Sequence, residues 1–424
     1  MNHRRTIVLS CLVLLGASIA PKTLFLSLAT AQQEPPVDAT PEPPAPPETA
    51  PEPEPPPQPI APPQKVSTPP PDQPQQTEES SAAWYDSLHL LAFADAYARV
   101  GWNFPKPQTA TGPNRGYDFS NGFSFSWVGL DVAYDPGPVG GTIQLRFGPS
   151  VPRLLGGDSQ AFSFDNVKQA FLSWRPVDKL QFDFGQFDTI YGIEVADSQY
   201  NMNYTRGTLY FVGQPFYHAG LRAKYTFSDM FSLTGLVVNG WNNTLDNNIP
   251  KTFGLQLGYD LGDVVHAALG YIAGPEQADI DDTGAEIPGA NERWRHFVDF
   301  LINVHVNPQL SLDLNVDVGT EDVGSEYNTW WGVMAAGRYA FIDEFAVALR
   351  GEYFDDRDAH LLGIDDLSIV TGTLTLDFQP SEHLIIRLDN RVDWASEDIY
   401  QQGVDDMSST EISSVLGVVA MAGN

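Results

Sequence analysis

Charged side chains recur at every second position in one late stretch of the chain. Arg387, Asp389, Arg391 and Asp393 alternate there with Ile386, Leu388 and Val392. In an extended chain a spacing of two puts all four on one face. A row of mixed charge performs electrostatic work: it orders water and selects ions by sign. The same phase collects Gln144 and Arg146, Gln181 and Asp183, then His218, Arg222 and Lys224. Further along it collects Arg295 and Asp299, Asp313 and Asp317, Arg350 and Glu352.

Bond-making chemistry is sparsely represented. Asp279-Ile-Asp281-Asp282-Thr283-Gly284 starts like a calcium loop, but Ala290 stands at the twelfth place, where a bidentate Glu is needed. Histidines 89, 218, 266, 296, 305, 360 and 383 lack metal-ligand spacing. Gly157-Asp158-Ser159 lacks a strand-to-helix elbow, and no Gly-rich phosphate loop occurs. The expectation is no catalytic residue, no metal and no cofactor.

Elements that would carry such rows are legible from Trp84 onward. Phe253, Leu255, Leu257, Tyr259 and Leu261 alternate with polar residues and glycines, as do Leu310, Leu312, Leu314, Val316 and Val318 with Ser, Asp and Asn. These are strands with one apolar and one wet face. At Phe123, Phe125 and Trp127 the apolar phase flips to Val128, Leu130 and Val132, which predicts a bulge or a shifted register. Glu411–Ala422 alternates weakly.

Connections alternate too. Seven tight turns rich in Pro, Gly, Asp and Asn fall between eight longer polar loops, near 101–121, 148–164, 189–215, 241–250, 274–292, 320–328, 355–366 and 395–408. Sixteen strands with short turns on one rim and long loops on the other predict an all-β fold, a transmembrane antiparallel β-barrel. A soluble sandwich is the competing reading, but its exterior would not need so many charges. A barrel of this size encloses water unless loops fill it. The 189–215 segment, rich in Tyr, Asn and Gly, is expected to fold into the mouth and narrow it, through Glu194, Asp197, Tyr204 and Arg206. A lid or a plug are its other readings.

The N-terminus carries an address. A basic start, apolar runs at 6–20 and 24–28, and Ala29-Thr30-Ala31 predict a signal peptide over residues 1–31, because Pro21 and Lys22 interrupt any membrane span. Its removal takes Arg4, Arg5 and Lys22, leaving 20 basic against 54 acidic residues and no cysteine. A disulfide scaffold and a nucleic-acid partner are both disfavoured. Residues 32–83 read as a disordered Pro-rich periplasmic linker: 19 of the 41 residues in 34–74 are proline. Extended as polyproline II at ~3.1 Å per residue, that run would reach on the order of 130 Å. It is a spacer or a tether to a periplasmic or cell-wall partner. The barrel domain is assigned to 84–424.

The stretches Asp178–Glu194 (DKLQFDFGQFDTIYGIE), Gln214–Asp229 (QPFYHAGLRAKYTFSD) and Val237–Tyr259 (VVNGWNNTLDNNIPKTFGLQLGY) resemble the OmpL-like β-barrel porins. The resemblance implies an outer-membrane porin of a Gram-negative bacterium and supplies no particular solute. A departure is the chain's ending, Val-Ala-Met-Ala-Gly-Asn, where many such barrels carry an aromatic. The resulting expectation is a water-filled channel for passive diffusion of small hydrophilic solutes. It is expected to lean toward cations because acidic loops (Glu276, Asp279, Asp281, Asp282 and Glu286; Asp355, Asp356, Asp358, Asp365 and Asp366) rim its mouth. Lipid and lipopolysaccharide are the expected surroundings; a homotrimer is common among general porins, but no apolar interface register is legible and the oligomeric state stays open. A selective or plugged channel, and a non-conducting anchor or adhesin, remain as alternatives.

Overall fold

The computed structural model describes residues 84–106, 112–118, 121–155, 164–281 and 283–424. The signal peptide, the Pro-rich linker, Gly157-Asp158-Ser159 and Asp282 lie outside the described residues. Among the described residues eighteen strands follow in order. The first nine are β1 (Leu88–Gly101), β2 (Gly122–Tyr134), β3 (Val139–Phe147), β4 (Val167–Val177), β5 (Leu180–Asp188), β6 (Tyr217–Thr226), β7 (Phe231–Val238), β8 (Thr252–Leu261) and β9 (Val265–Pro275). The rest are β10 (Trp294–Asn307), β11 (Leu310–Asp322), β12 (Tyr327–Ile342), β13 (Phe345–Asp358), β14 (Asp365–Ser381), β15 (Leu384–Ala395), β16 (Tyr400–Gln402), β17 (Asp406–Ser408) and β18 (Thr410–Gly423).

Sixteen of these strands close into one antiparallel barrel, in which each pairs with its chain neighbour and β18 completes the circle between β15 and β1. Closure leaves no sheet edge, which excludes the sandwich. β16 and β17 form a separate hairpin within the last long loop. The loops expected near 320–328 and 355–366 are shorter than their polarity suggests. β11 pairs with β12 out to Asp322 and Tyr327, and β13 with β14 out to Asp358 and Asp365. Polar residues there extend the ladder instead of ending it.

Alternation sorts the strands as a membrane requires. Phe253, Leu255 and Leu257 of β8 point outward and are about half exposed to the surroundings, as are Leu349 of β13 and Leu374 and Leu376 of β14. Outward aromatic rings gather near both rims. Tyr225–Phe227, Phe231–Tyr259, Tyr339–Phe341 and Phe345–Phe378 lie toward the short turns, at centroid separations of 4.9, 5.2, 5.1 and 5.4 Å. Trp331–Tyr353 lies toward the loops. Phe345 and Tyr353 are eight residues apart on β13; at ~3.4 Å per residue and a tilt of ~40° the two girdles stand about 20 Å apart, near the height of an outer-membrane apolar band.

The phase flip in β2 is a bulge. Asp95 and Ala96 of β1 face Trp127 and Phe125, which leaves Ser126 as the extra residue. Phe123 and Phe125 face outward before it, and Val128 and Leu130 face outward after it. Ser126 and Trp127 are both fully buried inside. At the seam, the Asn424 side chain accepts the Leu90 N–H at 2.8 Å and donates to Leu88 O at 3.2 Å, continuing the ladder by one rung.

A cation at mid-height on the outer face should be costly. Leu255→Arg is expected to destabilise the folded barrel by about 2–4 kcal/mol in a bilayer, whereas Gln256→Arg on the inner face of the same strand should cost far less. Reversible urea unfolding in lipid vesicles measures both, and equal losses would contradict the assigned faces.

Candidate functional site: the barrel interior and the 189–216 loop

The charged row on β15 meets a matching row on β14. Asp377, Thr375, Thr373 and Thr371 stand opposite Arg387, Asp389, Arg391 and Asp393. Thr375 and Thr371 donate to Asp389 and Asp393, each at 2.7 Å, and Arg387 Nε donates to Asp377 at 3.2 Å. Arg391 folds onto Asp393 at 2.7 Å. Every member of the β15 row is buried. Something covers it.

The cover is the segment between β5 and β6, residues 189–216. Beyond the Thr189–Phe216 rung it has no ladder partner, yet its backbone groups still need partners in a water-poor interior. The inner wall supplies them. Gln256 on β8 donates to Ile190 O. The Gly192 N–H reaches Asp299 on β10 at 3.2 Å, and the Ile193 N–H reaches Asn315 on β11 at 3.1 Å. Asp389 accepts the N–H of Thr205 at 2.8 Å and of Tyr204 at 3.3 Å. Arg387 donates to Ser198 O and Asn201 O, both at 2.7 Å, and Arg391 to Arg206 O at 2.6 Å. Glu352 on β13 takes the Thr208 N–H at 2.6 Å, and Trp330 on β12 donates to Gly213 O at 2.9 Å.

Side chains of the loop settle into gaps left by inward glycines. The Tyr191 hydroxyl lies where Gly254 would carry a Cβ and its ring where Gly270 would, Leu209 lies against Gly332, and Tyr204 against Gly417. Tyr191 then donates to Tyr271 O at 3.1 Å. Asp95 on β1 collects the hydroxyls of Tyr117, Ser198 and Tyr204, the last at 2.6 Å.

The four loop residues singled out from sequence occupy different surroundings. Glu194 pairs with Arg350 at 2.5 Å and accepts the Gly207 N–H at 2.7 Å. Asp197 is clamped between Arg146 at 2.8 Å and Lys168 at 3.2 Å. Tyr204 is 1% exposed. Arg206 points back into the loop, donating to the carbonyls of Val195, Ala196 and Tyr204, with its guanidinium 3.8 Å above the Tyr117 ring. The expectation that Asp197, Tyr204 and Arg206 face open lumen is therefore corrected: each is consumed in holding the loop's shape. Tyr200 is the exposed ring of this loop, at 62%.

Among the wall residues, His218 is buried between Gly240 O at 2.9 Å and Thr189 at 3.1 Å. Asp183 pairs with Arg222 at 2.9 Å, and Arg295 with Glu321. Asp299 and Asp317 are fully buried, sharing the Asn315 amide at 2.8 and 2.9 Å. Asp313 accepts from Asn303 at 2.5 Å, and Lys224 is exposed. A cavity of about 450 Å³ lies between Glu194, Tyr200, Asn201, Met202 and Asn203 of the loop and the β9–β13 wall.

Sequence reasoning missed the first loop. Asn114, Arg115, Tyr117 and Asp118 are buried inside the barrel. Arg115 bridges Asp118 at 3.1 Å and Asp393 at 3.4 Å, and Asn114 donates to Thr208 at 2.9 Å. It also missed Asp95 and Arg99 on β1. That strand turns Phe93 and Tyr97 inward and alanines 94, 96 and 98 outward, so its hydropathy hardly alternates. The spacing of Asp95, Tyr97 and Arg99 was the available signal.

Some outer-loop acids also have structural roles. Asp356 accepts the N–H groups of His360, Leu361 and Leu362. Glu276 accepts from Trp241 N–H at 2.8 Å and Thr252 at 2.6 Å, and burial lifts its carboxyl to about 6 against the nearby Arg295 charge. Among the described residues no three His, Cys, Asp or Glu side chains converge as metal ligands.

A closed sixteen-stranded barrel with a long loop packed inside narrows the comparison to channel proteins. The family model described as "Putative beta-barrel porin-2, OmpL-like" matches residues 87–422. The chain belongs to this porin family. It is accordingly an outer-membrane protein with a porin fold. No curated protein matches it by sequence. Solved structures similar to it include OmpT of Vibrio cholerae lacking loop L8, at 14% identity and a TM-score of 0.52, covering 79% of this chain and 99% of that one. The outer-membrane channel DcaP of Acinetobacter baumannii is similar at 12% identity and TM-score 0.52, over 80% and 96% of the two chains. An anion-selective porin from Comamonas acidovorans is similar at 13% and 0.51, over 79% and 99%. At these identities the likeness is one of fold.

Two tests address how this porin's loop is held. Burial alone would push the Asp197 carboxyl up; Lys168 and Arg146 outweigh it and hold it at about 2, below the ordinary 3.8. A depressed carboxylate stabilises the folded form above its ordinary value and loses that contribution as pH falls toward the depressed one, here about 2 kcal/mol. The near-ultraviolet dichroism of the loop tyrosines should hold from pH 7 to 4 and decay toward pH 2, and Asp197→Asn should weaken it already at pH 7. Gly417→Val should expel the Tyr204 ring at a cost of about 1–3 kcal/mol and open Arg206 to trypsin. Continued resistance at Arg206 in that variant would count against the docking described.

Proposed function

We propose that this porin conducts small hydrophilic solutes and ions passively, that the 189–216 loop narrows its lumen, and that the pathway leans toward cations. One observation carries the proposal. The loop spans the interior from β8 round to β15, and the space beside it is the cavity against β9–β13. A solute crossing the barrel would pass between Tyr200, Asn201 and Asn203 on one side and Asn303, Asp313 and Arg338 on the other.

Charge pairing supports the cation lean. Inward guanidinium groups are paired with carboxylates: Arg146 with Asp131 and Asp197, Arg222 with Asp183, Arg350 with Glu194 and Glu352, Arg391 with Asp393, while Arg338 and Arg387 share Asp377. Asp313 on the pathway has an amide partner rather than a cation. A wall whose guanidinium groups are each held by a carboxylate favours passage of cations, more strongly at low salt. A selective channel is a second reading, favoured by the first loop, whose Asn114, Arg115 and Tyr117 fill interior beside the third.

The test is single-channel recording of the mature chain in planar bilayers under a KCl gradient. Ohmic steps and a reversal potential on the potassium side are expected. Tyr200→Ala should raise the unitary conductance by roughly a third, since the ring borders the proposed passage. Silence from a folded barrel, or reversal on the chloride side, would overturn the conducting or the cation-leaning part respectively. Saturation of the current with a particular solute would favour the selective channel.

A further inference from the structure

The cavity beside the loop has a composition that a mere water path does not require. Its volume is about 450 Å³, within the range of small-molecule sites. His266, His305, Ser311 and Arg338 border it, all close to the short turns that end β9–β12, so it opens toward the rim that faces the periplasm.

The charges in it are mostly spent. Glu194 and Arg350 hold one another at 2.5 Å, and Arg338 lies 2.9 Å from Asp377. His266 is paired with Asp260 at 2.6 Å, and His305 bonds Ser311 at 2.8 Å. Asp313 differs: it accepts from the neutral Asn303 amide. Among the described residues no ion pair holds Asp313, so the cavity presents a carboxylate open to a cationic partner, while Arg338 beside it shares Asp377 with Arg387. Around it stand an exposed aromatic ring, Tyr200, the thioethers of Met202 and Met334, and the apolar Ile193 and Ala336.

A carboxylate, a ring face and soft apolar groups together match a positively charged nitrogen on a hydrocarbon body. The carboxylate takes the N–H donors, the ring attracts the cation through its quadrupole, and the thioethers mould to the apolar part. An anion would meet Asp313 unshielded, and a sugar would leave the apolar lining unused.

We propose that this cavity is a binding subsite for small organic ammonium ions, entered from the short-turn rim, with Asp313 as the charge partner and Tyr200 as the ring wall. The inference deepens the cation-leaning channel reading and rests on it for the solute's route, while binding itself does not depend on conduction.

The experiment is isothermal titration of the full mature chain, folded in detergent at pH 7.5, with cyclohexylammonium chloride. Cyclohexanol and cyclohexanecarboxylate serve as the neutral and anionic counterparts, and empty micelles correct for partitioning. One saturable site for the ammonium ion is expected, with the alcohol at least roughly tenfold weaker and the carboxylate silent. Asp313→Asn is close in shape and keeps a partner for Asn303. It should weaken ammonium binding about tenfold while leaving the circular dichroism of the barrel unchanged. Tyr200→Ala should weaken it several-fold. Equal binding of all three probes, or full ammonium affinity in Asp313→Asn, would overturn the assignment. Bilayer recordings separate the two readings: silence together with Asp313-dependent binding removes the channel and keeps the subsite, and conduction without saturable binding does the reverse.

Discussion

A backbone without a ladder partner, placed inside a barrel, has to find its hydrogen bonds elsewhere. Residues 189–216 find many of theirs on the inner wall, and this requirement explains the charge placed on β13 and much of that on β15. Arg387, Arg391 and Trp330 serve carbonyls; Asp299, Glu352 and Asp389 serve N–H groups. An ionised partner makes a stronger bond than a neutral one, and in a poorly hydrated interior the difference grows. Arg387, Arg391 and Glu352 are in turn paired along the strands with Asp377, Asp393 and Arg350, whereas Asp299 and Asp389 are held by amide and hydroxyl donors. Removing one member strands the other.

Shape works alongside charge. Gly254, Gly270, Gly332 and Gly417 face inward at the heights where Tyr191, Leu209 and Tyr204 arrive. A methyl group at any of them would occupy the space of the incoming side chain. The wall is thus contoured for one loop conformation, while its outer face remains an ordinary lipid-facing alternation of Leu, Val and Phe.

How much of this was legible follows from which interactions are local in sequence. The sixteen strands, their turns and the inward phase of the Arg387–Asp393 row depend on a period of two, and a period can be read from a single stretch. The bulge at Ser126 left a visible phase flip. The burial of Tyr204 left no such trace, because its partners Asp95 and Asp389 lie about 110 and 185 residues away; Arg206 bonds carbonyls within its own loop, and a polar loop residue looks alike whether it faces water or a carbonyl. The first loop was opaque for the same reason. The ends of the loops at 320–328 and 355–366 were misjudged because polar residues in a barrel that projects above the membrane still pair as strands.

Tyr204 joins parts of the chain that meet last. Its hydroxyl is bound to Asp95 on β1, its N–H to Asp389 on β15, and its ring rests on Gly417 of β18, the strand between them. The β1–β18 contact pairs residues more than 300 positions apart, which makes it the costliest loop to close during folding. A side chain that needs all three strands in place has nowhere to dock on an open sheet. Seating of the loop is therefore coupled to completion of the circle, so that an unfinished barrel keeps an unfastened loop and a finished one carries its own rivet across the seam.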